Sequence, residues 1–168
     1  MKRILFAILA VVMTTAVATA QNYMVVDSEK VFKSIAAYNE ALEQIETLSQ
    51  TYQKQVDTKF AAVETLYNNY MAQRASLSES ARQSREQQIL NAEAEATEYQ
   101  ESIFGTDGTL IKKRIELIQP IQKKVFDTIK QYAEKKGYDM IIDISQNATM
   151  LYYSERADHT DEIIAILK

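Results

Sequence analysis

Residues 35–70 read IAAYNEALEQIETLSQTYQKQVDTKFAAVETLYNNY, and their spacing decides the fold. One register runs Ile35, Leu42, Ser49, Val56, Val63, Tyr70, and is preceded at Val31 by a second: Tyr38, Ile45, Tyr52, Lys59, Leu66. Nine of these eleven positions from 35 to 70 are apolar or tyrosine, Ser49 and Lys59 being the exceptions. The alternation of four and three residues is the seam of a left-handed coiled coil. An ordinary amphipathic helix would drift to a period of 3.6 over five heptads.

Working outward, the seam stops in the polar cluster Ser76-Leu77-Ser78-Glu79-Ser80. Ser76 and Glu79 have the spacing of a capping box, so a second helix begins here and the tip of a helical hairpin lies near 74–80. The return arm carries Ala92, Ala96, Tyr99 and Ile103 at four–three–four spacing, its small residues suiting a tight pair. Gly105 and Gly108 interrupt it, and the phase then shifts to Ile111, Ile118, Val125 and Tyr132 with Ile115 and Ile129, which implies a stutter or hinge. Pro120, inside this second run, implies a kink that splays the arm. At about 1.5 Å per residue, Glu29 to Arg74 extends roughly 70 Å.

The ends differ in character from the arm. Tyr23–Asp27 is a β-prone run, and Ser28 is the expected N-cap of a helix starting near Glu29. Lys135-Lys136-Gly137 is a helix C-terminus with glycine at C′. Met140–Ile144 and Met150–Tyr153, joined by the turn Gln146-Asn147-Ala148, predict a β-hairpin over 139–154, and Thr160 is read as the cap of a final helix to Leu167. Three strands and a short helix make a core too small for one chain, so an oligomer is expected, with Val25, Ile142, Ile144 and Leu151 in its body. The expected fold class is mainly α with a small β body. Its parts are an arm of residues 29–136 and a body of residues 21–28 and 137–168.

Residues 1–20 read as an export signal: Lys2 and Arg3, an apolar run from Ile4 to Val17, and Ala18-Thr19-Ala20 at the cleavage site. Without Lys2 and Arg3 the formal charge of −4 becomes −6. The chain has no cysteine and one histidine, which excludes a disulfide framework, a thiolate metal site and a cysteine nucleophile. His159, between Asp158 and Asp161, reads as a surface loop residue, and no serine–histidine–acid set is available to it. No catalytic group, cofactor or metal is expected, and an acidic exported chain is a poor partner for nucleic acid. Gly105-Thr106-Asp107-Gly108-Thr109 lacks the Lys-Ser/Thr pair of a phosphate loop. Only 3 glycines and 1 proline leave few reversals, against the many-turned sandwich and doubly wound folds.

The order of elements resembles the Skp/OmpH family of periplasmic chaperones. The most specific stretch is 116–144, from Glu-Leu-Ile-Gln-Pro-Ile through Lys-Lys-Gly-Tyr-Asp-Met-Ile-Ile-Asp, followed by the closing Thr160-Asp161-Glu162-Ile163-Ile164. The resemblance implies a jellyfish-like homotrimer, a β body with three helical tentacles, that holds unfolded outer-membrane β-barrel proteins soluble in the periplasm without ATP. Strongly basic members have been linked to lipid and lipopolysaccharide; a net charge of −6 departs from them. Residues 105–138 nevertheless carry a net +4 and residues 28–104 a net −5, so the charge is uneven. Such a chaperone needs adaptable apolar surface, for which Phe60, Tyr67, Met71, Phe104 and Phe126, all off the seam, are the candidates. The reading from a different class is an envelope adaptor whose arms bind one folded partner.

Overall fold

The computed structural model describes residues 22–146 and 149–168, which fall into two units. The export segment read at 1–20 and residues 147–148 of the expected turn lie outside the described residues. One unit is Ile35–Lys124; the other joins the described chain up to Ser34 with Val125–Lys168.

The first unit is the helical hairpin. Helix α2 (Ala36–Gln73) leads out, a short 3-10 turn follows at Arg74–Ser76, and α3 (Glu79–Phe104) leads back. On α2 the buried or half-buried positions include Tyr38, Ala41, Ile45, Ser49, Tyr52, Val56, Val63, Leu66 and Tyr70, and on α3 Ile89, Ala92, Ala96, Tyr99 and Ile103. This is the four–three seam with two local changes. Ala41 takes the inward place instead of Leu42, which is exposed. Lys59 stays out of the seam and lays its ammonium 5.2 Å from the centroid of the Tyr99 ring. The Tyr99 hydroxyl in turn hydrogen-bonds Gln55 across the pair. At the far end, Tyr70 is buried and its hydroxyl donates to Glu86. That bond, with burial, pushes the phenol pKa up.

The return cap differs from the expected one. Ser78, not Ser76, is the N-cap of α3, accepting from the Ala81 N–H at 3.3 Å. Ser76 instead donates back to Gln73 O from the 3-10 turn. The chain between Phe104 and Thr109 breaks the helix tightly: Gly105 N donates to Glu101 O and Gly108 N to Gly105 O. A Cβ on either glycine would run into a backbone carbonyl, that of Glu101 for Gly105 and that of Ile103 for Gly108. Helix α4 (Thr109–Lys136) then runs through Pro120 without ending. Of the positions read in sequence, Ile118, Val125 and Ile129 are buried and Tyr132 is half-buried, whereas Ile111 and Ile115 are exposed and their neighbours Leu110, Leu117 and Ile121 are half-buried instead.

The second unit is built around a strand. β1 (Tyr23–Val26) pairs in parallel with β2 (Met140–Asp143), Val25 opposite Ile142 and Val26 opposite Asp143. On the other side of β1, Val25 forms a bridge with Asp158 and its carbonyl accepts from His159 N. With neighbours on both edges, Met24, Val25 and Val26 are buried, which a continuous apolar run suits. Helix α1 (Ser28–Lys33) follows, capped by Asp27 rather than Ser28. It ends at Ser34, whose hydroxyl donates to Val31 O, and Ile35 is extended. The first two positions of the heptad pattern therefore lie outside the seam: Val31 is in the core of this unit and Ile35 at the break. Helix α4 ends at Gly137 with φ +76°, where Tyr138 N donates to Ala133 O and Gly137 N to Glu134 O. After a 3-10 turn at Glu155–Ala157, α5 (Thr160–Leu167) buries Ile163.

The expected hairpin over 139–154 is not formed. β2 takes β1 as its partner, and Met150–Tyr153 is not a strand, with Leu151 97% and Tyr152 82% exposed. Nor does the Thr160 side chain cap α5. Its hydroxyl accepts from Asp27 N at 2.9 Å and donates to Asp158, tying both ends of the chain together. Asp143 makes a second tie. Burial pushes its carboxyl up, but hydrogen bonds from the side chains and backbone N–H groups of Ser28 and Ser145 outweigh it and hold the pKa low.

Two outcomes follow from this packing. Gly108→Ala forces a backbone shift and costs about 1–3 kcal/mol, read as a fall in Tm, whereas Thr106→Ala at an exposed place nearby leaves Tm unchanged. Because the folded Asp143 pKa is depressed, its contribution is present at neutral pH, begins to be lost as pH falls toward about 4, and is gone below the folded value. Thermal melts of Asp143→Asn across that range should show a lower Tm at pH 7 and a shallower fall on acidification than the parent; parallel curves would refute the assignment.

Candidate functional site

The arm unit shows its apolar side chains on the flanks of the seam. Phe60, Tyr67 and Met71 are 37%, 50% and 47% exposed, and their spacing of seven and four residues puts them on one face of α2. Asp57 and Glu64 share that face, so the apolar surface is interrupted by carboxylates. Leu90 on α3 is also exposed. Phe104, at the end of α3 beside the glycine joint, is only half-buried. Phe126 belongs to the other unit, where it packs edge-on against Phe32 with centroids 5.9 Å apart. The structure thus brings three of the five candidates onto one surface and leaves Phe104 and Phe126 elsewhere.

In the second unit, Val25 is completely buried within the single chain, while Ile142 and Ile144 are half-buried on and just beyond β2. Leu151 stands free, and Tyr23, Met140, Ile141 and Tyr152 are exposed with it. A two-stranded sheet this small leaves a good deal of apolar side chain uncovered.

His159 is not a surface loop residue. Its side chain is 12% exposed, and each element around it supplies a partner. Nδ1 lies 3.1 Å from the Tyr132 hydroxyl of α4 and 3.2 Å from Glu162 Oε1 of α5. Nε2 lies 2.7 Å from the Tyr138 hydroxyl. A carboxylate only accepts, so with one ring proton Nδ1 donates toward Glu162 and Nε2 accepts from Tyr138. Burial first, and then Glu162, push the Tyr132 phenol pKa up. Two tyrosines distant in sequence gave no signal that they would meet one imidazole. The arrangement is a structural knot in which one imidazole joins Tyr132, Tyr138 and Glu162.

Charge on the arm is paired locally. Lys113 meets Glu116 at 2.7 Å and Arg82 meets Glu79 at 3.3 Å, both exposed pairs worth little. Among the described residues, no group of three His, Cys, Asp or Glu is placed to hold a metal ion, and no helix is long and apolar enough to cross a membrane. What the surface offers chemically is dispersed apolar contact on a slender support.

Compared with known families, residues 22–167 match the sequence model of the family described as outer membrane protein (OmpH-like). No curated protein matches the chain.

Proposed function

The chain belongs to the OmpH-like outer membrane protein family, and on that premise we propose that it is an ATP-independent periplasmic holdase for unfolded outer-membrane β-barrel proteins. The observation that carries the reading is the face of α2 bearing Phe60, Tyr67 and Met71. A two-helix hairpin has no core that needs these side chains, and their exposure costs solubility unless they are used. Separated by carboxylates, they offer many weak contacts instead of one deep pocket. Weak contacts add by avidity and still let a client go. Phe104 and Phe126 are further contact residues in this reading, at the joint and in the body unit.

The same reading makes the protein an exported homotrimer. The exposed Leu151 meets a neighbouring copy there, with Ile142 and Ile144 beside it and Val25 supporting the sheet from within. A two-stranded parallel sheet gains most from this, since three copies supply the apolar area that one chain lacks.

The test dilutes a urea-unfolded outer-membrane barrel into buffer with and without the purified protein, follows light scattering and weighs the soluble complex. Suppressed aggregation without nucleotide, in a complex of one client per trimer, is expected. Replacing Phe60, Tyr67 and Met71 together by serine should weaken suppression several-fold while oligomeric mass and Tm hold. Full suppression by that variant would remove the contact surface. Unchanged aggregation with the parent protein would replace the holdase by an adaptor that binds a folded partner.

A further inference from the structure

Toward the tip, the hairpin stops being a close-packed pair. Beyond Tyr70 on α2 and Ile89 on α3 the facing positions become polar: Gln73 and Arg85 are exposed, and nearer the tip Leu77, Ala81 and Arg82 are half-buried. The helices enclose a cavity of about 240 Å³ there, with Leu66, Tyr70 and Ile89 in its walls beside Asn69, Gln73 and Gln88. A second, broader concavity of about 610 Å³ adjoins it through the shared Leu66 and Gln88, and adds Gln87, Asn91 and Ala92.

The lining has a consistent chemistry. Five carboxamides surround an apolar floor, and the charged groups are one of each sign, Arg85 and Glu95. Arg85 is already turned to Gln88 Oε1 at 3.1 Å, and Gln87 Nε2 donates to Asn91 Oδ1 at 2.9 Å. Neither an anion nor a cation is favoured by such a wall. A carboxamide presents a carbonyl acceptor and N–H donors, the same two functions as a peptide group. Glutamines on a helix surface can turn to reach a ligand, exchanging bonds with one another for bonds with it at little net cost.

We propose that this cleft between α2 and α3 is a binding site for an extended polypeptide segment, read through its backbone by the carboxamides while its side chains rest on Leu66, Ile89 and Ala92. This rests on the holdase reading and specifies what part of the client is recognised. An unfolded chain differs from a folded one chiefly in having backbone N–H and C=O groups without partners. A neutral, two-way hydrogen-bonding wall selects for that property and is indifferent to sequence. The apolar face of α2 selects instead for side chains, so the two surfaces are chemically separable.

The experiment uses a fluorescent ten-residue peptide of alternating apolar and polar residues, and the same peptide with alternate backbone amides N-methylated. Methylation removes backbone donors and keeps the side chains. By anisotropy, the parent protein should bind the unmethylated peptide at least tenfold more tightly. The variant Asn69→Leu, Gln73→Met, Gln88→Met keeps side-chain size close, does not weaken helix propensity, and should bind both peptides equally, at the weaker level. Equal binding of the two peptides by the parent protein overturns the cleft, as does a variant that keeps the full preference. Barrel aggregation is followed with the same protein. Suppression without a methylation effect overturns this inference alone; neither suppression nor peptide binding overturns the holdase reading with it.

Discussion

Everything in the body depends on β1 and β2 running parallel. A parallel pair cannot be closed by a tight turn and requires a crossover of a dozen residues or more, usually one helix. Here the crossover is the entire arm: the Asn22 backbone N–H meets Asp139 Oδ2, 117 positions along the chain. The arm is therefore an elaborated crossover helix, opened out into a hairpin and returned to the strand beside the one it left. This is why the ties between the two chain ends are so numerous. Asp143 on Ser28, Thr160 on Asp27, and Lys30 with Asp161 at 3.1 Å all join residues from before the arm to residues after it.

The arm obeys a different rule. Its cohesion is a seam of alanines, aliphatic side chains and tyrosines, and two of its polar groups have partners across the pair. Lys59 lies on Tyr99 and Tyr70 reaches Glu86, so neither leaves a buried group without a bond. A seam this narrow leaves the flanks free to carry apolar groups for contact with something else. The tight glycine joint gives the returning arm a second phase, because backbone approaches there that no side chain would allow.

Much of this was legible in the sequence. A seven-residue period over five heptads has one physical interpretation, and helix α2 follows it from Tyr38 to Tyr70. The Gly137 cap was legible for the same reason, since a left-handed residue after two lysines has few other uses. What was not legible depends on distant partners. Met150–Tyr153 has strand composition, yet composition carries no information on which segment β2 will choose, and β2 pairs with β1. The break at Ser34 escaped notice because Val31 and Ile35 continue the heptad by chance while serving separate structures. The candidate surface was read in part: Phe60, Tyr67 and Met71 follow from helical geometry, whereas His159 and its tyrosines meet only in three dimensions.

The crossover topology also orders events in time. The hairpin is made of contacts local in sequence, and such contacts form early and fast. β1 comes first in the chain but finds its partner only after the last thirty residues have followed, across a long loop whose closure carries an entropic cost. The two helices, by zipping first, take most of that loop out of the closure and leave α4 (Thr109–Lys136) as the main stretch still to be placed. In this chain the arm's own folding sets when one strand of the body can meet the other.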